Sequence, residues 1–160
     1  MLELAKPGPE HQRLRRLTGA WKARIKYFPT PGAKPEEITG ELLSRMDIGG
    51  CFLCREINYG MQGYQGRGLT GWDAFRGAYV GTWVDSTSPL IYRTEGNFDT
   101  RGVFCETSEG PDVDGTILRL RLTTEMVDPN QMIFQIRRKM DDGTEALILQ
   151  VEHMRRRFVD

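Results

Sequence analysis

Trp21, Ala23, Ile25 and Tyr27 alternate with Lys22, Arg24 and Lys26, and this two-residue rhythm returns in short runs almost to the end of the chain. Side chains two apart share one face of a strand, so each run reads as a strand with one face buried. Leu118, Leu120 and Leu122 alternate with Arg119, Arg121 and Thr123. Met132, Phe134 and Ile136 alternate with Ile133, Gln135 and Arg137. Leu147, Leu149 and Val151 alternate with Ile148, Gln150 and Glu152, up to Arg155-Arg156-Arg157. Six further runs complete the set: Glu37 to Met46, Phe52 to Met61, Gly68 to Asp73, Ala78 to Asp85, Leu90 to Phe98 and Val103 to Thr107. Breaker residues separate them, among them Pro29 to Pro35, Gly49-Gly50, Ser86 to Pro89, Asp99 to Gly102 and Asp141-Asp142-Gly143. Gly60, Gly63 and Gly66 read as a loose connection or as bulges.

About ten strands joined by short turns, with no helix between them, require an antiparallel sheet. A sheet of that size curls, and closure removes both unpaired edges. The expected fold is an all-β, ten-stranded antiparallel up-and-down β-barrel, with a two-sheet sandwich as the competing architecture. Eight strands leave room for side chains or one small ligand, so ten should leave a cavity.

One short helix is expected before the first strand. Pro9 suits its first turn and Glu10 the positive end of its dipole. Leu14 and Leu17 form a narrow apolar stripe, with His11 on the same side, and Gly19 is expected to cap the C-terminus. Such a helix is too short to stand alone, so its stripe must close one end of the barrel.

The chain length suits one domain over residues 1–160. The 22 basic and 22 acidic side chains cancel, which argues against nucleic-acid and electrostatic membrane partners. No apolar run approaches the roughly 20 residues that span a bilayer. The start lacks a basic region followed by an apolar one, so a cytoplasmic location is expected. Cys51 and Cys54 stand three apart on a strand and therefore face opposite sides, which suits neither a redox pair nor a zinc site.

Two sets of residues carry a resemblance. Gly19-Ala20-Trp21 at the head of the first strand, after a short helix, resembles the opening of lipocalin-type barrels. The likeness implies that Trp21 closes one end and that Arg155, near the end of the last strand, packs over its ring as a cation–π pair. Over about 150 residues, Pro9-Glu10-His11, Gly19-x-Trp21, Gly49-Gly50, Gly71-Trp72-Asp73, Tyr79 to Ser86, Gly96-Asn97-Phe98-Asp99 and a final arginine pair resemble a bacterial family, domain of unknown function 1579. The resemblance implies a lipocalin-like barrel and no established activity. That family carries an aromatic residue two before the final arginine, where this chain has His153.

Candidate cavity residues follow from the strand pattern. Tyr79 and Trp83 share a face across Gly81, but Val80 and Val84 opposite are apolar too, so the pattern leaves the inward face of this strand open. Glu56, Asp85, Arg93 and Glu95 are charges within strands; a barrel that binds a polar ligand aims a few such groups inward. Glu56 and Asp85 could do acid–base work only in a shared cavity. His153 follows Leu147, Leu149 and Val151 onto the face read as inward. Nitrobindin barrels are similar in architecture and hold a haem through a histidine near their C-terminus, which makes His153 a candidate haem ligand. No serine sits in a nucleophile elbow, and no catalytic residue or metal site is assigned.

Three functions fit these readings. The first is a module that binds a small, largely apolar ligand in the cavity. The second is a haem-binding or enzymatic barrel using His153 or a cavity carboxylate. The third is a filled barrel that forms a homodimer. A cavity in the ligand range, from roughly 300 Å³ upward, favours the first two.

Overall fold

In the computed structural model, which describes residues 3–60, 63–112 and 114–157, the chain forms one short helix and ten strands. Helix α1 is Pro9–Arg15. The strands are β1 Gly19–Tyr27, β2 Glu36–Asp47, β3 Phe52–Tyr59, β4 Tyr64–Asp73, β5 Ala78–Asp85, β6 Ser88–Phe98, β7 Phe104–Pro111, β8 Ile117–Asp128, β9 Gln131–Lys139 and β10 Glu145–Arg155. Each pairs antiparallel with its neighbours in sequence, and β10 returns to pair with β1. The result is the closed ten-stranded antiparallel barrel expected from the alternation.

Turn chemistry sets the register. The β6–β7, β7–β8 and β9–β10 hairpins repeat one pattern: Gly102, Gly115 and Gly143 each donate N–H to the carbonyl three residues back, with φ of 80°, 81° and 84°. Glycine supplies the positive φ that this hairpin needs.

Helix α1 covers one end. His11 Nδ1 accepts the Gly8 N–H (2.8 Å), which secures the first turn, and Tyr79 donates its hydroxyl to the Glu10 carbonyl (2.9 Å). Leu14 and Leu17 enter a plug with Trp21, Leu42, Leu53, Tyr79, Phe104 and Met132. Tyr79 meets Trp72, Phe98 and Phe104 edge-on at 5.0, 5.4 and 5.5 Å between centroids. Edge-to-face contacts of this kind add about 0.5–1.5 kcal/mol each beyond area burial. The other end, where β3 meets β4 and β5 meets β6, has no helix over it among the described residues.

Four details depart from expectation. Gly19 does not cap α1, which ends with Arg16 in the right-handed region; instead Gly19 opens β1 beneath Arg155. The Gly19 φ of 150° is a conformation that L side chains rarely adopt, and a Cβ there would also crowd the Arg155 head, 2.3 Å from Nη1. The expected end of the third strand at Met61 lies outside the described residues, and β3 closes at Tyr59. Strand β4 begins at Tyr64 and takes in Gly66, because Gly66 and Gly68 form a bed for the Trp83 ring on β5. A Cβ would come within 2.2 Å of that ring at Gly66 and 2.6 Å at Gly68. Finally, a bulge between Leu147 and Leu149 reverses the alternation in β10, so Leu147 pairs with the outward-facing Arg137 and does not share the face of Leu149 and Val151.

Candidate functional site

The inner face of the barrel has three zones along its axis. The plug under α1 is apolar. Above it, every buried polar or charged residue among those described, from Ser44 and Thr70 to Glu106 and His153, points inward and forms a discontinuous belt around the wall. Towards the open end Tyr59, Tyr64 and Trp83 close in; Tyr59 and Tyr64 stack at 4.8 Å.

Between the plug and these aromatics lies a cavity of about 130 Å³. Its walls are largely apolar, including Leu17, Leu42, Ile57, Leu122, Met132, Phe134, Ile136 and Leu149. Ser44, Arg55, Thr94, Thr124 and His153 bring polar atoms to it. The cavity is smaller than the ligand range expected from strand number, because the rings of Trp83, Tyr59 and Tyr64 project into the lumen and narrow it. About 130 Å³ is nonetheless close to the roughly 150 Å³ that encloses a benzene ring in an apolar core.

The polar atoms are unevenly satisfied. Thr94 donates to Glu106 Oε1 (2.8 Å), and Arg55 Nη2 donates to Thr70 Oγ1 (3.1 Å). Arg55 Nε, Ser44 Oγ and both ring nitrogens of His153 find no hydrogen-bond partner among the described residues. Nor does Arg55 form an ion pair with any described carboxylate, although every arginine is charged at physiological pH. His153 is 3% exposed, and its ring meets Trp21 edge-on at 6.5 Å. Burial first, and the Arg55 charge second, push its pKa down to about 4, while the Met132 backbone opposite works weakly the other way without hydrogen-bonding geometry to either nitrogen. His153 is therefore neutral at physiological pH.

The sequence candidates divide sharply. Trp83 and His153 line the cavity. Asp85 shares the inner face of Trp83 but lies nearer the rim, where its Oδ2 accepts from Trp83 Nε1 (3.1 Å) and Tyr64 Oη (3.2 Å) and so fixes two cavity walls. Tyr79 does not line the cavity; its ring belongs to the plug. Glu56 and Arg93 are not cavity residues either. Glu56 lies between inward-facing Arg55 and Ile57, so its own side chain points out and pairs with Arg45 at 3.3 Å. Arg93 and Glu95 likewise flank the inward Thr94 and are exposed, with Glu95 paired to Arg76 at 2.9 Å. Glu56 and Asp85 thus face opposite sides of the wall and share no site. Trp21 and Arg155 meet at the plug: the guanidinium carbon is 4.2 Å from the ring centroid, and the head donates to the Thr18 and Pro129 carbonyls at 3.0 Å each.

Arg55 is the residue that sequence reasoning passed over. Its signal was available, since its neighbours two removed, Leu53 and Ile57, are apolar. A haem does not fit this cavity. His153 offers an unpartnered nitrogen, but a space on the scale of one benzene ring cannot take a macrocycle several times larger. Among the described residues no cluster of three His, Cys, Asp or Glu could hold a metal ion, and no helix is long and apolar enough to cross a membrane.

The fold is similar to that in the crystal structure of Rv2717c from M. tuberculosis, 17% identical, with a TM-score of 0.65 over 97% of this chain and 100% of that one. At that identity the likeness shows the fold alone. A protein of unknown function from the DUF3598 family of Nostoc punctiforme aligns over 94% of this chain and 100% of its own at 8% identity, with a TM-score of 0.29, too low to carry an argument. No curated protein matches the chain. The family of proteins of unknown function DUF1579 matches residues 6–155, nearly the whole barrel with its helix, and the chain belongs to that family.

Proposed function

We propose that the barrel is a binding module for a small, largely apolar molecule held in its interior. The observation that supports this reading is a mostly apolar cavity of about 130 Å³ whose wall carries buried polar atoms with no partner among the described residues. A barrel selected only for stability would fill that space or pair those atoms, since an unsatisfied buried polar group costs about 1–3 kcal/mol. Ligand sites combine these same features: apolar walls supply affinity, and a few polar groups fix orientation.

Benzyl alcohol has the right dimensions for a probe. Saturation-transfer NMR should show it bound to the native protein and displaced in Leu149→Trp, which fills the cavity from one wall. Equal transfer in the two proteins, or none at millimolar concentration, would sink the proposal. Native mass spectrometry of protein purified from its own cells then reports the mass of any retained natural ligand.

A further inference from the structure

We infer that the cavity takes a ligand with an anionic head, a monocarboxylate on a ring-sized apolar body, and that Arg55 is the residue that receives the head. This deepens the small-molecule reading above and rests on it.

The argument begins with charge. Arg55 sits on β3 with its side chain on the inner face, half-buried, and lines the cavity. Among the described residues its side chain makes one hydrogen bond, from Nη2 to Thr70, a neutral hydroxyl. Its Nε is buried and unpartnered, and no described carboxylate lies within ion-pairing distance. A guanidinium drawn partly out of bulk water and left without a counter-charge carries a cost, and interior charges are ordinarily paired. The one carboxylate in the belt, Glu106 on the inner face of β7, accepts from Thr94, does not line the cavity and makes no ion pair with Arg55. It does not supply the missing partner.

Geometry adds to this. Ser44 pairs directly with Arg55 across β2 and β3, and its buried hydroxyl is also unpartnered. His153 lines the same cavity, is 3% exposed, and has both ring nitrogens without a hydrogen-bond partner among the described residues. Three side chains thus present unused hydrogen-bonding capacity to one small space. The guanidinium fork matches a planar carboxylate, and a neutral imidazole and a hydroxyl can each donate one further hydrogen bond. The remaining walls are aliphatic and aromatic, which suits the ligand's apolar body. A cationic head has no receptor here, since no carboxylate lines the cavity.

The test compares benzoate, benzyl alcohol and benzylamine, one ring with three heads, by isothermal titration at pH 7.5. Benzoate is expected to bind most tightly and benzylamine not to bind. Arg55→Met should weaken benzoate at least about tenfold, as loss of a charge-assisted hydrogen bond requires, and leave benzyl alcohol within about twofold. Arg55→Lys should recover only part of the benzoate affinity, because an ammonium lacks the planar fork. Glu56→Gln, on the outer face next in sequence, should leave all three probes unchanged. If benzoate and benzyl alcohol bind alike, or Arg55→Met weakens both alike, the anionic assignment falls and the apolar-cavity reading stands. If neither binds, both fall together.

Discussion

His153 makes stability depend on pH in a way that can be isolated. The imidazole is neutral in the folded barrel, with its pKa pushed down to about 4, whereas an unfolded chain holds it at 6.5. Between those values the unfolded state binds a proton that the folded state refuses, so stability is complete above about pH 6.5 and is lost as pH falls towards 4. The full loss is about 3 kcal/mol, and about 2 kcal/mol of it accrues between pH 7.5 and pH 5.0. The assay is urea unfolding followed by tryptophan emission at those two pH values, for the native protein and His153→Leu. Every other ionisable group is common to the two proteins and cancels in the difference. The native protein should lose about 2 kcal/mol more than the variant across that interval. An equal loss in the two proteins would refute the reasoning. So would NMR of the native protein, if neither of its two histidine rings titrated below pH 5.

Other outcomes follow from close packing and from unpaired charge. Gly96→Ala would place a Cβ 1.9 Å from the Cys105 carbonyl oxygen, a backbone atom that cannot swing away, and should cost at least about 3 kcal/mol by thermal unfolding; Gly110→Ala, 3.6 Å from the Tyr92 ring, should be nearly neutral. Arg155→Ala removes the cation–π contact to Trp21 and two hydrogen bonds to carbonyls, and should lower stability by about 2 kcal/mol, with lysine restoring only part. Arg55→Met should leave the urea midpoint unchanged or higher while carboxylate binding falls, because an interior guanidinium without a counter-charge serves the ligand and not the fold. A loss above about 1 kcal/mol in that variant would mark Arg55 as structural.

Much of the architecture was legible in the chain. Alternation and turn chemistry are local, so they mark strands and hairpins wherever they occur, and ten such strands without a helix between them leave closure as the way to remove the edges. The helix stripe of Leu14 and Leu17 reads as a lid for the same reason, since nothing else could bury it. The placement of Arg155 over Trp21 was legible only through the resemblance to lipocalin-type barrels; closure, which pairs the two residues across β1 and β10, is what brings it about.

The candidate site was far less legible, and the reason is parity. A shift of one residue moves a side chain through the wall. Glu56 and Arg55 are adjacent, yet one lies outside with Arg45 and the other lines the cavity. Within β5 both faces are apolar; only pairing decides that Tyr79, Gly81 and Trp83 look inward, opposite Trp72, Thr70 and Gly68. The bulge that sends Leu147 outward is a property of the β9–β10 ladder and has no local signature. The cavity itself depends on contacts between strands: Trp83 can lie flat and narrow the lumen because Gly66 and Gly68, on a neighbouring strand, have no side chains. The sequence by itself determined how many strands the wall has and, to within a few residues, where most of them turn, since those are set by neighbours along the chain. Which residues face the lumen, which of them lack partners, and how much space remains were decided by the tertiary structure, since each depends on neighbours across strands.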